Sequence, residues 1–390
     1  MKKIIIISFV FLFCLFLLSE NIFAIPAFAR KYKMSCQTCH SPMPRLKAYG
    51  DEFAGNGFVL SDKDAPRYSV DTGDEDISLI RDFPIAVRLE GYITYNNRNT
   101  EQSDFTAPYL LKLLSGGSIG TDLAYYFYFF LSERGEVAGV EDAYLMFNNL
   151  FSTELDVYVG QFQVSDPLFK RELRLTYEDY QIYRTKVGRS DINLTYDRGV
   201  MLTYGFETGT SLMFEVLNGS GIGEGNPFRN FDNDKHKNFF GRVSQDVGDF
   251  LRVGGFGYYG KEDFLIDTVP FKNEMWMAGP DLTLSYNDIL EFNLQYVERR
   301  DKQSLSGAGI DIKTRGAMGE IIVTPEGDES KWYGVGLFNW VESDEPSLNF
   351  KTGTLHLGYL LRRNVRLVSE FTYDFKNKFG QVGIGFIAAF

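Results

Sequence analysis

The sequence predicts an all-β protein: a transmembrane antiparallel β-barrel of about 16 strands, preceded by a small helical segment at the N-terminus. Three observations predict this fold. Segments of about ten residues alternate between apolar and polar side chains, short turns alternate with longer polar loops, and the chain ends in an apolar alternation that closes on Phe390. The 35 Phe and 23 Tyr residues are also typical of the aromatic girdles of membrane barrels.

The alternation of side chains is clear at the start of the predicted barrel, residues 84–390. Ile85, Leu89 and Ile93 fall on one face of a strand, whereas Arg88 and Glu90 fall on the other. The pattern recurs in residues 123–131, 212–216, 290–296 and 355–361. A β-propeller would instead repeat about every 40–50 residues, and no such repeat is present. A soluble barrel shows the same alternation of apolar and polar side chains. The prediction of a membrane barrel therefore rests on the loop lengths and on an export signal.

The connections between the predicted strands alternate in length. Short turns are predicted at sites such as Asn148–Thr153, Gly248–Asp249 and Asn287–Asp288. Longer polar loops are predicted at Asn218–Lys235, Lys261–Asn273, Arg299–Thr314 and Glu342–Lys351. Membrane barrels have short periplasmic turns and long extracellular loops. With an even number of strands, the first and the last strand are therefore expected to begin and end on the periplasmic side. Acidic side chains that could attract cations crowd two of these loops: Glu262, Asp263, Asp267, Glu342, Asp344 and Glu345.

Residues 1–24 are predicted to be a cleaved signal peptide. Lys2 and Lys3 precede the apolar run Ile4–Leu18, and the run is shorter than the about 20 residues of a membrane helix. After it, the sequence contains no further run long enough for a membrane-spanning helix, so any passage through a membrane must use strands. The net charge of −12 argues against a nucleic acid as partner.

The remaining chain divides into three parts. Residues 25–62 form a helical segment, residues 63–83 an acidic linker, and residues 84–390 the barrel. The linker is rich in Asp and poor in apolar residues, which indicates a solvated tether. The helical segment has fewer than 40 residues and is therefore expected to complete its core against the inside of the barrel.

The helical segment contains the motif Cys36-Gln37-Thr38-Cys39-His40. A Cys-x-x-Cys-His run is the attachment site of a c-type haem. Both thiols add to the haem vinyl groups, and the adjacent imidazole becomes an axial ligand of the iron. The sequence therefore predicts one covalent haem c, held by Cys36 and Cys39, with His40 as the proximal ligand.

Two other chemistries use paired cysteines. A redox-active pair is expected at the start of a helix in a βαβ setting, and no such setting is visible. A zinc site needs two more ligands, yet the remaining histidines are His236 and His356, and no third cysteine follows the export signal. The histidine directly after Cys39 favours haem over both.

The helical segment also supplies candidates for covering the haem. Leu46, Tyr49 and Phe53 are spaced as one face of a short helix, and Gly55-Asn56-Gly57 is expected to end it. The distal iron ligand is left open between Met43 and His356. A lumen-facing methionine is a further alternative, although packing against a plug explains such residues more simply. The methionines with that predicted orientation are Met146, Met201, Met213, Met275, Met277 and Met318.

The N-terminal part resembles the monohaem cytochrome–porin fusions of bacterial outer membranes. The likeness covers residues 25–60, over Phe28-Ala29-Arg30, the haem motif, Pro44-x-Leu46, Tyr49-Gly50-x-x-Phe53 and Asn56-Gly57-Phe58. Val159-Gly160-Gln161-Phe162 is similar to a segment of anion-selective porins. The resemblance implies that Cys36 and Cys39 bind haem covalently, that His40 is its proximal ligand, and that extracellular Fe(II) is one candidate donor.

The predicted function is that of an outer-membrane electron conduit. One c-type haem, in the barrel lumen or on its periplasmic side, would pass electrons between an extracellular donor, with Fe(II) as the candidate, and a periplasmic carrier. An enzymatic role would be that of an Fe(II) oxidase acting by electron transfer. The alternative is a passive outer-membrane porin with a haem-bearing plug. A peroxide-handling enzyme would need distal acid–base groups, for which the sequence offers no argument.

Overall fold

The computed structural model describes residues 27–32, 34–60, 69–70, 73, 79–80, 83–98, 102–120, 122–137, 139–232, 234–266, 269–302 and 310–390. The predicted signal peptide, 1–24, lies outside these residues, as does most of the predicted linker, in which Ser69–Val70 pairs with Leu79–Ile80. Within the described residues, the α-helices are α1 (Ala27–Tyr32), α2 (Ala48–Gly55) and α3 (Gln181–Arg184). Among the described helices, none is long and apolar enough to cross a bilayer.

Sixteen antiparallel strands close into a barrel, which confirms the predicted architecture. They are β1 (Ile85–Asn96), β2 (Gln102–Ser118), β3 (Leu123–Glu133), β4 (Gly139–Phe147), β5 (Leu155–Gln163), β6 (Tyr196–Gly205), β7 (Thr210–Leu217), β8 (Asn238–Val247), β9 (Leu251–Ile266), β10 (Val269–Tyr286), β11 (Leu290–Lys302), β12 (Ile312–Val323), β13 (Trp332–Ser343), β14 (Phe350–Arg362), β15 (Val365–Asp374) and β16 (Phe379–Ala389). Each strand pairs with its neighbours in sequence, and β16 returns to pair with β1. Val87 and Phe390 exchange two backbone hydrogen bonds, so the final residue takes part in the β16–β1 pairing that closes the barrel.

The two faces of the strands separate as the alternation predicts. On β1, Glu90, Tyr92 and Thr94 are buried in the lumen, whereas Ile93 and Tyr95 are exposed on the outside. The same division holds on β11, β14 and β16. The apolar side chains on the outer face are not buried by the protein itself. Such a surface is stable in contact with the hydrocarbon core of a membrane.

The predicted turns and one predicted loop are confirmed, the ends of two predicted loops belong to strands, and one predicted loop is wrong. In Arg299–Thr314 and Glu342–Lys351, the first and last residues lie in β11, β12, β13 and β14. The turns at Asn148–Thr153, Gly248–Asp249 and Asn287–Asp288 and the loop at Asn218–Lys235 lie between strands. The predicted loop Lys261–Asn273 is instead mostly strand, because β9 and β10 stay paired from Lys261–Glu274 to Ile266–Val269. Glu262 and Asp263, assigned to that loop, therefore belong to β9, while Asp267 lies outside the described residues.

The outward face of β14 provides a test of the membrane environment. Leu355 lies near the middle of the strand with 69% of its surface exposed. We expect Leu355→Arg to destabilise the folded barrel by about 2–4 kcal/mol in lipid, as arginine does near the midplane of membrane barrels. Urea unfolding in lipid vesicles measures the difference, and Leu355→Val is the matched apolar control. Equal stability of the two variants would place this face in water.

Candidate functional site

The N-terminal segment, described over residues 27–32 and 34–60, builds a small aromatic core that the barrel wall completes. Phe28 of α1 stacks on Phe58 at 5.0 Å between ring centroids and meets the edge of Phe53 of α2 at 5.3 Å. Phe58 stacks in turn on Tyr126, a lumen-facing residue of β3, at 5.6 Å. A segment this short buries little apolar surface on its own, and the ring of Tyr126 closes the open side of its core.

Polar contacts join the segment to the short-turn end of the barrel. They are the ion pairs of Arg45 with Glu291 and of Lys47 with Asp328, and the hydrogen bonds from Gln37 Nε2 to the Asp328 carbonyl (2.5 Å) and from Asn148 Nδ2 to the Gly55 carbonyl (2.6 Å). All of the barrel partners lie in, or next to, the short turns. The described segment therefore contacts the short-turn end of the barrel, which we call the short-turn mouth.

Within the segment, α2 packs directly on the cysteine–histidine motif. A Cβ atom at Gly50 would lie 2.3 Å from the carbonyl oxygen of Cys39. A larger residue would therefore push the helix away from the motif. A helix forms after Pro44 as predicted and Phe53 is buried, but Tyr49 is exposed. Leu46, predicted to share this helical face, lies before the helix in a β-bridge with His40.

Cys36, Cys39 and His40 line one cavity of about 250 Å³. Most of its other walls are apolar: Phe28, Met34, Met43, Leu46, Phe53 and Phe58 from the segment, and Leu114, Gly116, Tyr126 and Tyr128 from β2 and β3. Two thiols and an imidazole facing one apolar space are the groups that a covalent haem requires, and an apolar lining suits the porphyrin faces. The residues present therefore fit a haem c.

The orientation of His40 also suits an iron ligand. Its Nδ1 lies 2.9 Å from the Pro44 carbonyl oxygen, which can only accept, so Nδ1 donates and Nε2 carries the lone pair. Burial lowers the pKa of the His40 imidazole, which favours the neutral form that binds metals. A backbone carbonyl that fixes the tautomer is typical of metal-ligating histidines.

The two candidate distal ligands lie in different environments. Met43 is buried and lines the same cavity as Cys36, Cys39 and His40. His356 lies on β14, where Nδ1 donates to Glu370 (2.9 Å) and Nε2 lies 3.4 Å from the Tyr333 hydroxyl. Both ring nitrogens of His356 are thus in use, so of these two residues the geometry favours Met43.

Sequence reasoning missed the connection between β5 and β6, residues 164–195, which we call the lumen loop. It folds back inside the barrel and forms the largest buried cluster with the wall, in which Tyr183 is fully buried. Arg299 of β11 donates to the carbonyls of Thr185 (3.3 Å) and Ile192 (2.7 Å). Its apolar residues alternate with charges at no fixed period, so no strand or helix pattern could have identified it.

The lumen loop explains the predicted inward methionines. Met146, Met201, Met275, Met277 and Met318 are buried and Met213 is half-buried, as the parity predicts. All except Met146 pack against the cluster that contains the lumen loop. Methionine fills irregular gaps, and the irregular surface here is this loop.

Buried charges hold the lumen loop in its own fold. Asp179 accepts two hydrogen bonds from Arg171 (2.5 and 3.1 Å) and pairs with Arg184 at 3.4 Å. Burial alone would raise the pKa of the Asp179 carboxyl, but the charges of Arg174 and Arg171 hold it well below its usual range.

We expect Asp179→Asn to lower the stability of the barrel by about 3 kcal/mol at neutral pH, because it leaves buried arginines without their counter-charge. A carboxyl whose pKa is lower in the folded than in the unfolded state stabilises the folded protein at pH values above its unfolded pKa. This stabilisation is lost as the pH falls. The difference from wild type should therefore shrink below about pH 4. Denaturant unfolding at several pH values measures it. Asp191→Asn, at an exposed pair with Lys186, is the control, and a difference that stays constant with pH would contradict the expectation.

A second, polar cavity of about 960 Å³ lies between the segment, the lumen loop and the wall. Its lining includes Arg45, Asp51 and Lys170 together with the turn residues Asp249 and Asp288. The lumen therefore has a large polar cavity near the short-turn mouth and is packed where the lumen loop crosses it.

Of the acidic residues proposed to attract cations, those that the structure describes do not form a metal site. Glu262 is buried and accepts hydrogen bonds from Asn273 (2.9 Å) and from the backbone N–H of Asp191 (3.2 Å). Within the described ranges, no group of three or more His, Cys, Asp or Glu side chains is arranged to hold a metal ion.

Comparison with known proteins identifies the fold. No protein-family model matches the chain, and no curated protein sequence matches it. Among solved structures, the anion-selective porin from Comamonas acidovorans superposes with a TM-score of 0.56 at 13% identity, over 79% of this chain and 99% of that one. The channel DcaP of Acinetobacter baumannii gives 0.55 at 13%, over 79% and 97%. A loop-deletion mutant of OmpT, an outer membrane protein of Vibrio cholerae, gives 0.54 at 13%, over 79% and 99%. At this identity the likeness shows a porin-type barrel fold.

Proposed function

We propose that this chain is an outer-membrane electron conduit that holds one haem c at the short-turn mouth of a porin-type barrel. The observation that carries the proposal is the shared cavity of Cys36, Cys39 and His40, closed on one side by the barrel wall. Cys36 and Cys39 would form the thioether bonds, His40 Nε2 would be the proximal ligand, and Met43 is the favoured distal ligand.

An outer-membrane location is supported by the apolar outer faces of the strands and by the barrel fold shared with outer-membrane proteins. The predicted export signal agrees with it. Outer-membrane lipid is then the partner of the outer face, and the short-turn mouth faces the periplasm.

The chain's own residues would position and insulate the redox centre. The aromatic core around Phe58 and Tyr126 would cover one side of the haem with apolar surface, and the ion pairs of Arg45 and Lys47 would hold the segment at the short-turn mouth. Bound haem would supply one-electron chemistry at its iron. The electron partners are then a donor on the extracellular side, with Fe(II) as the candidate, and a periplasmic carrier at the short-turn mouth.

Proteoliposomes with the purified full chain test the conduit. Fe(II) is added outside only, a soluble one-electron acceptor is trapped inside, and protease sensitivity of the long loops reports orientation. We expect the haem absorbance to change to the reduced spectrum and the trapped acceptor to become reduced. If dithionite reduced the haem but Fe(II) did not, Fe(II) would be rejected as the electron donor. A purified chain without a haem-staining band would reject the conduit.

Passive diffusion of small solutes is the second candidate function. The porin-type fold and the polar cavity of about 960 Å³ favour it, whereas the packed lumen loop opposes a wide pore. Single-channel recordings in planar bilayers decide: steady ohmic conductance together with a haem that exchanges no electrons would establish the porin.

A further inference from the structure

The outer wall of the barrel carries a groove of about 990 Å³ that spans strands β5 to β11. Gly241, Gly257 and Ala278 lie side by side in it, because Gly257 pairs with the other two across β8, β9 and β10. All three share the outward face with exposed apolar residues of these strands, such as Val243 and Trp276. Larger outward side chains border the groove: Tyr204, Leu212, Phe214, Val243, Trp276 and Tyr296. The groove is therefore an apolar depression in the surface that faces lipid.

Neither packing nor backbone conformation requires the glycine at the centre of the groove. A Cβ atom at Gly257 would have no heavy atom within 4 Å, so a side chain there would meet open space. Its φ also lies outside the left-handed region in which glycine is favoured. Strands usually carry β-branched or aromatic residues at such positions. The absence of side chains at Gly241 and Gly257 thus leaves room for a molecule outside the chain.

Charged side chains border the groove on the side of the long loops, and we call them the charged belt. Trp276 and Glu298 line the groove, and the guanidinium of Arg300 lies 5.4 Å from the centre of the Trp276 ring. Glu298 pairs with two cations, Arg300 and Lys313, each at 3.2 Å. The charged belt therefore begins at the edge of the groove with more positive than negative charge.

The next row of the charged belt repeats this excess. Glu274 pairs with Lys302 at 3.6 Å and is the cross-strand neighbour of Lys261, so four cations share two carboxylates. Within β9–β13, the described outward charges from the row of Glu298 to the long loops are six basic and four acidic: Lys261, Lys272, Arg300, Lys302, Lys313 and Arg315 against Asp263, Glu274, Glu298 and Glu342. The charged belt is positive, whereas the whole chain has a net charge of −12.

An amphipathic molecule with an anionic head matches the order of these two features. The groove lies among exposed apolar side chains, at the level of the hydrocarbon core, and the charged belt lies beyond it, where headgroups begin. Clustered Lys and Arg side chains at that level attract anionic headgroups and bind phosphate through charge-assisted hydrogen bonds. A soluble anion would leave the groove empty, and a neutral lipid would leave the excess positive charge without a partner.

We propose that this face binds a phosphorylated glycolipid with several acyl chains, of the lipid A class, from the outer leaflet of the outer membrane. One acyl chain would lie in the groove over Gly257, and a phosphate would lie against Arg300, Lys302 and Lys313. The inference uses the outer-membrane location and goes beyond the proposed electron conduit. It applies to the barrel with or without haem.

The test is native mass spectrometry of the full chain in a non-ionic detergent, titrated with bisphosphorylated lipid A and with dephosphorylated lipid A. The double variant Lys302→Gln/Lys313→Gln removes two cations from the charged belt. Its matched control is Lys331→Gln/Arg362→Gln, at exposed positions of the short-turn end. These four proteins and ligands separate binding through phosphate from binding through acyl chains alone.

The groove is tested with Gly257→Leu, which fills it without meeting another atom of the chain at Cβ. The matched control is Gly319→Leu on the outward face of β12. Gly319 does not line the groove, and a Cβ there makes only an ordinary contact with Leu294 at 4.0 Å. Both variants add the same side chain to the lipid-facing surface, so only the position differs.

We expect Lys302→Gln/Lys313→Gln to bind the phosphorylated lipid about tenfold more weakly than wild type, because two cations near the headgroup are lost. It should bind the dephosphorylated lipid as wild type does. Gly257→Leu should bind both lipids about tenfold more weakly, because the leucine displaces buried methylene groups of the acyl chain. Both controls should match wild type. If Gly257→Leu does not assemble, the charge variant decides.

Equal binding of phosphorylated lipid A by wild type and every variant would overturn the inference and leave only unspecific lipid around the barrel. A wild-type oligomer that Gly257→Leu dissociates, with lipid binding unchanged, would assign the groove to a second copy of this chain and would also overturn it. Haem staining of the same preparations tests the conduit separately, since its absence would remove that function and leave the lipid result as it stands.

Discussion

Replacing both Cys36 and Cys39 with alanine is expected to abolish covalently bound haem completely and to leave the barrel folded. The thioether bonds are the covalent links between haem and protein, so the haem-staining band should disappear from denaturing gels. The barrel should survive because its sixteen strands pair without any residue of the segment. Haem staining and the heat-dependent shift in gel mobility of folded barrels measure the two outcomes.

Thr38→Ala is the matched control for this experiment. Thr38 lies between the two cysteines, and its side chain forms no bond to the haem in the proposed attachment. Its haem staining should therefore equal that of wild type. If the double alanine variant still stained, or if wild type never did, the motif would have another role, and the porin interpretation of the barrel would stand alone.

The fold could be predicted because each strand separates two different environments. Glu291, Asn293 and Gln295 alternate with Leu290, Phe292 and Leu294 since one face of β11 meets the lumen and the other meets lipid. The strand count followed from repeating this alternation. The prediction of a loop at Lys261–Asn273 was wrong, because charged residues there continue the β9–β10 ladder. Strands that extend beyond the lipid are free of the apolar requirement, so polarity there does not indicate a loop.

The candidate site was predictable in part. A covalent haem needs two thiols and a histidine close together in the chain, so Cys36, Cys39 and His40 could be named from the sequence. The surroundings of the motif depend on contacts between distant residues. Nothing local distinguishes Tyr126 from the other tyrosines of the strands, and only the packing of the segment against β3 brings it onto Phe58 and the cavity. The lumen loop was missed for the same reason, because its partners come from strands across the barrel.

Replacing Arg299 with methionine is expected to release the lumen loop and to open the barrel. Arg299 and Asp301 are almost completely buried, and their two hydrogen bonds are both 2.7 Å long. The same guanidinium donates to Thr185, Ile192 and the Ser190 hydroxyl (3.2 Å). Its removal leaves Asp301 as an unpaired buried charge and frees three acceptors of the loop. Breaking a buried pair in this way costs about 3–5 kcal/mol.

Release of the lumen loop is measurable as conductance. The loop packs against the barrel wall inside the lumen, next to the polar cavity at the short-turn end. Single channels of Arg299→Met should conduct more, and open more often, than those of wild type. Arg315→Met removes an exposed ion pair with Glu342 from the neighbouring strand β12 and should change neither stability nor conductance. If Arg299→Met unfolded more easily but conducted like wild type, the loop would be only a structural brace. A wild-type channel that already conducts freely would show that solutes pass around the loop, and the porin would then be the better description of this protein.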